Sequence, residues 1–134
     1  MVISLFTGSL FTTFVIARFV SHLLHDKQGY GTQYEKSKTL TGWLRRRTGF
    51  GWHHYHFGFL IVFLTLMLSY FFGFNSYLIV FLGIGSSLFL DQISFLIFLN
   101  KNYFGRGYFG IRSLSLSIIF HLAIAFIFSS VNFG

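Results

Sequence analysis

The chain has no cysteine, no proline and only three acidic residues, Asp26, Glu35 and Asp91, in 134. The first absence excludes a disulfide framework and any thiolate metal site. The second removes proline kinks, so a bent helix must owe its bend to glycine or to packing. Charge of either sign is scarce, at 10% of residues against roughly 25% in an ordinary soluble domain. What fills the space is apolar: 54% of residues are hydrophobic and 21 are phenylalanine. A water-soluble surface could not keep so many large side chains from forming apolar patches. With a mean hydropathy of +0.67, the composition is that of a single-domain integral membrane protein.

Four apolar segments, at about residues 2–24, 50–74, 77–99 and 111–133, are each long enough to cross a hydrocarbon layer, which takes about 20 helical residues. They are unbroken runs rather than short alternating ones, which disfavours a β-barrel. The expected fold is therefore all-α, a four-helix transmembrane bundle forming one domain. No charge lies between Arg47 and Asp91. The second and third helices are thus joined only by the turn Gly73-Phe74-Asn75-Ser76, as an antiparallel hairpin. No internal repeat is evident.

The basic residues set the orientation. Lys27, Lys36, Lys38, Arg45, Arg46 and Arg47 follow the first helix, and Lys101, Arg106 and Arg112 follow the third. Both termini and the 73–76 turn have none. Positive loops stay in the cytoplasm, so a multi-pass cell-membrane protein with both termini outside is expected. The net charge of +7 then reflects topology and contact with anionic lipid headgroups, and no nucleic-acid partner is needed. The first segment lacks a basic n-region and an A-x-A site, so it reads as a retained helix rather than a cleaved signal. The polar stretch 26–48 is either a flexible basic loop or a piece lying on the membrane, with Trp43 and Leu44 beside Arg45–Arg47 suiting an interface.

Arg18, Asp91 and His121 lie inside apolar segments, where such residues usually face the bundle interior and find partners. At about 1.5 Å per residue, each sits roughly 12–13 Å from the cytoplasmic end of its helix. Three helices thus bring a cation, an anion and an imidazole to one level, and an Arg18–Asp91 ion pair with His121 nearby is the simplest way to satisfy them. Five more histidines lie closer to the same surface. His22 and His25, and again His53 and His56, are three apart and can share a helix face. His54 points about 100° away from His53 and is grouped with the deeper polar residues.

Imidazole is the commonest metal-binding side chain, and histidine pairs on neighbouring helices can build a metal or haem site in a bundle. His22, His25, His53 and His56 are the candidate ligands for iron, copper, zinc or haem b. Read singly, each histidine is more simply an interfacial contact. Gly83, Gly85 and Ser87 mark close helix packing, since small residues four apart let another helix approach. Tyr70, Tyr77, Tyr103 and Tyr108 fall near the boundaries as interfacial anchors.

Two motifs carry a resemblance. His53-His54-Tyr55-His56-Phe57-Gly58 places a glycine four residues after paired histidines, and Gly83-Ile84-Gly85 precedes Asp91 by five residues, with Tyr103 twelve beyond. This pattern resembles a family of small prokaryotic integral membrane proteins without an assigned activity. The likeness covers roughly residues 50–112. It implies that the paired histidines, the glycines and Asp91 belong to one unit. The chain departs from the pattern at Gln92, where the family has a second carboxylate, and at Asn100 and Asn102, where it tends to be acidic.

Three functions follow from these residues. The favoured one is a non-enzymatic component of a larger membrane complex, a homo- or hetero-oligomer, that holds a metal. A small metal-dependent enzyme similar to membrane desaturases and hydroxylases is the second, although those enzymes use more histidines than the six here. Proton or ion conduction is the third, weakened because the outer half offers only hydroxyls.

Overall fold

Long stretches of Leu, Ile, Val and Phe free of proline have one way to satisfy their backbone in an apolar solvent, namely the i to i−4 hydrogen bonds of a helix. The computed structural model describes residues 1–28, 40–48, 53–98 and 110–131. Every regular element within them is helical: α1 (Val2–Gln28), α2 (Leu40–Thr48), α3 (His54–Phe72), α4 (Ser76–Asp91), α5 (Ile93–Phe98) and α6 (Ile111–Ser130). Three of these helices contain stretches long and apolar enough to cross a membrane: Val2–Leu23, His54–Phe72 and Ile111–Ser130.

The segment expected as an unbroken helix over about 77–99 is different. It is a 16-residue helix, α4, that stops at Asp91 and resumes after Gln92 as the six-residue α5. At about 1.5 Å per residue, α4 alone reaches ~24 Å, short of a hydrocarbon core of ~30 Å. Gln92 has φ −109° and ψ 15°, well away from helical values near −63° and −42°.

Local chemistry explains the other boundaries. Gly73 ends α3 with φ +70°, a left-handed backbone that costs glycine little. Asn75 then caps α4, its side-chain oxygen accepting the Leu78 N–H at 3.0 Å, as good N-cap residues do. At the start of α3, the His53 N–H donates to His56 Nδ1 at 3.1 Å.

α4 lies between α1 and α3, and its two central glycines face different neighbours. A Cβ on Gly83 would sit 2.8 Å from the Phe6 carbonyl oxygen of α1. One on Gly85 would sit 2.8 Å from Ile61 Cγ2 of α3, while one on Gly58 of α3 would sit 2.7 Å from the Gly85 oxygen. At Gly83 and Gly58 the neighbour is backbone and at Gly85 it is the Ile61 side chain, close approaches that an absent side chain permits. The start of α3 thus lies against the end of α4.

The apolar core is small. Phe6, Leu10 and Ile79 are buried, flanked by Leu5, Leu82, Ile124 and Phe128. Phe6 and Phe128 stack at 3.8 Å and bring α6 onto α1. Most large apolar side chains instead face outward, with Phe71 69% and Phe126 73% exposed. Such a surface suits a lipid bilayer, in which outward apolar groups cost nothing.

Candidate functional site

Each helix that meets at the polar centre supplies it with side chains four residues apart, which stack on one helix face. α1 gives Phe14 and Arg18, α4 gives Ser87 and Asp91, and α6 gives Ser113, Ser117 and His121. Asp91, His121, Ser87 and Ser117 are wholly buried, and Ser113 nearly so.

The anchor is an ion pair. Arg18 Nε donates to Asp91 Oδ1 at 2.6 Å, with the two side chains 12% and 0% exposed. Arg18 Nη2 donates onward to the Asp91 carbonyl at 3.1 Å and to Ser117 Oγ at 2.9 Å, with Ser113 Oγ at 3.5 Å. One guanidinium therefore ties α1 to both α4 and α6, a use of its planar donor fork that lysine could not reproduce. Its carbon also lies 5.7 Å above the Phe14 ring, within range of a cation–π attraction.

Ser117 extends the network. Its hydroxyl donates to the Asp91 carbonyl at 3.1 Å, with the Leu90 carbonyl at 3.4 Å. Its own carbonyl lies 2.7 Å from His121 Nδ1. A carbonyl can only accept, so Nδ1 carries the hydrogen, and in the neutral ring Nε2 accepts from the Ser87 hydroxyl 3.0 Å away. His121 thus has both nitrogens engaged, and Phe14 packs against its ring at 4.5 Å. Beyond it begins the Phe6–Leu10–Ile79 cluster.

The deep residues Arg18, Asp91 and His121 are therefore assembled into one centre. His22 is exposed on α1, and the side chain of His25 lies outside the described residues. His53, Tyr55 and His56 stack at the start of α3, with Tyr55 and His56 ring centres 4.0 Å apart and His53 and His56 6.1 Å apart. His54 is half-buried, its Nδ1 sealed from solvent. Among the described residues, no group of three His, Asp or Glu side chains is placed to hold a metal ion. His56 Nδ1 accepts the His53 N–H, which leaves Nε2 as the ring nitrogen of His56 that could ligate a metal.

Neither a family model, nor a curated protein, nor a solved structure matches this chain.

Gly83 and Gly85 pack as described above, but Ser87 does more, because it supplies the hydroxyl that His121 accepts. Ser113 and Ser117 were not singled out by sequence reasoning. The signal available for them was the spacing Ser113-x3-Ser117-x3-His121, which puts three polar groups on one face of an otherwise apolar helix. Gln92 was read only as a departure from a family pattern. It is 4% exposed, with its side-chain oxygen buried and without a hydrogen-bond partner. Tyr70 and Tyr77 are exposed beside the 73–75 turn, while Tyr103 and Tyr108 lie outside the described residues.

Proposed function

We propose that the chain is a non-catalytic component of a larger membrane assembly, with the Arg18–Asp91 centre as the pin that fixes its helices. In this reading it crosses the cell membrane four times, through α1, α3, the α4–α5 pair and α6. Both termini and the 73–75 turn face outside. The basic stretches after α1 and α5 lie at the cytoplasmic surface against anionic headgroups. Membership of the small membrane-protein family with paired histidines and Asp91 belongs to the same proposal.

The observation that carries it is how completely the centre's groups are turned on one another. Asp91 is held by Arg18, Ser117 bridges α6 to the end of α4, and His121 has both nitrogens in hydrogen bonds. The file of polar side chains also ends at His121, against the Phe6–Leu10–Ile79 cluster. That arrangement favours a pin over a relay crossing the membrane. The chain exposes a large outward apolar surface, where other membrane subunits would bind.

Native size is the decisive measurement. Protein extracted from its own membranes in a mild detergent should run as a complex well above the 15.5 kDa of one chain. A monomer at every concentration, by light scattering or native mass spectrometry, would overturn the assembly reading.

A further inference from the structure

The interruption at Gln92 has no local cause. Leu88-Phe89-Leu90-Asp91-Gln92-Ile93 contains neither glycine nor proline, the residues to which sharp helix distortions are most often traced. Helix propensity along this stretch is ordinary. What distinguishes it is where its carbonyls go. The Asp91 carbonyl, which in a continuous helix would accept the N–H of residue 95, instead accepts Arg18 Nη2 at 3.1 Å and Ser117 Oγ at 3.1 Å. Both donors come from other helices, α1 and α6.

We infer that α4 and α5 are one span held in two pieces by Arg18 and Ser117, a hinge set by tertiary contacts rather than by its own sequence. The donors that would complete the helix cannot compete with a guanidinium already fixed on the Asp91 carboxylate. Charge-assisted hydrogen bonds of this kind are the stronger ones. The negative end of the α4 dipole also favours a cation at this position. The broken form has a mark of its own, since Gln92 Oε1 is left buried with no hydrogen-bond partner. Groups of this kind are rare in native structures, and stored strain is one recognised cause of them.

Release of Arg18 from the Asp91 carbonyl lets Ser76–Phe98 close into a single helix. At about 1.5 Å per residue that helix is ~34 Å long, enough to cross the membrane without help. Closure turns α5 about Gln92. The centre between α1 and α6 is thereby coupled to the cytoplasmic surface. This inference does not depend on whether the chain works alone or in an assembly.

The test is the backbone conformation of Gln92, read from its 13Cα chemical shift in detergent-solubilised full-length protein. The wild type should show a non-helical shift there, between helical values on either side. The double variant Arg18→Met/Asp91→Asn removes both charges without stranding either, and its Gln92 shift should move into the helical range. Ser117→Ala keeps the ion pair and removes one of the two donors, so it should give an intermediate shift. A helical Gln92 in the wild type overturns the inference, as does an unmoved non-helical shift in the folded double variant. If the double variant does not fold, Ser117→Ala decides alone, and an unmoved shift there also overturns it.

Discussion

Arg18 and Asp91 show how much depends on removing one partner or both. A buried pair of charges is weakly stabilising against an apolar replacement, yet stranding one member in the interior costs about 3–5 kcal/mol. Arg18→Met should therefore be more damaging than Arg18→Met/Asp91→Asn, although the double variant loses more interactions. Thermal unfolding in detergent, followed by helical circular dichroism, should rank wild type first, the double variant close behind and the single variant well below. Equal losses in the two variants would mean that Asp91 is solvated or paired elsewhere. At this scale the sequence was legible wherever a residue is expensive in a membrane. Arg18, Asp91 and His121 stand out because an apolar segment tolerates them only with partners. Ser87, Ser113 and Ser117 do not stand out, because a hydroxyl can satisfy itself on its own helix. Ser69 does so with the Leu66 carbonyl at 2.8 Å. Only their register with Asp91 and His121 separates the serines that bond across helices from those that do not.

The helices divide into two kinds of contact. α1, α3 and α4 meet through glycine, so their seams tolerate no added atom. Gly58→Ala would place a methyl 2.7 Å from the Gly85 carbonyl oxygen and 2.9 Å from the Leu88 carbonyl carbon, both backbone. Overpacking of this kind costs about 1–3 kcal/mol. Gly8→Ala is the matched control, with nothing within 4 Å of the added carbon and a helix propensity gain of up to about 1 kcal/mol. Melting temperature should fall in the first variant and hold or rise in the second. A neutral Gly58→Ala would show that α3 can move away from α4. The glycines were readable from their spacing on α4, but which neighbour each one faces was not, since that depends on how three helices are arranged. The break at Gln92 was illegible for a related reason. It is produced by donors from α1 and α6, far away in sequence, and the local residues are ordinary helix formers.

For the whole molecule, hydropathy and the distribution of Lys and Arg carry nearly all the information, and the absence of cysteine makes it testable. Any introduced thiol is the only one in the chain. With both termini outside, Ser76→Cys in intact cells should react with a membrane-impermeant maleimide, while Lys38→Cys should react only after permeabilisation. The reverse pattern would invert the topology. Three apolar helices long enough to span were legible because lipid demands long apolar helices. The fourth expected span differs, since α4 falls short of the hydrocarbon thickness and α5 follows it after Gln92. The metal reading rests on histidine count and spacing, and among the described residues no three ligating side chains meet. Spacing along one helix says which side chains share a face, and nothing about whether a second helix brings its own ligands to meet them.

The serine and histidine row on α6 has a consequence for how the chain is made. Translation delivers α6 after α1, α3 and α4, which by then have the means to pack through their glycines. Until it arrives, the Arg18–Asp91 pair lacks the two α6 hydroxyls and has one flank open to acyl chains. A chain whose α6 has failed to pack therefore displays an uncovered charge pair. Completion hides it, so the pair that holds the finished protein together also distinguishes finished from unfinished copies, a feature that membrane quality control could read.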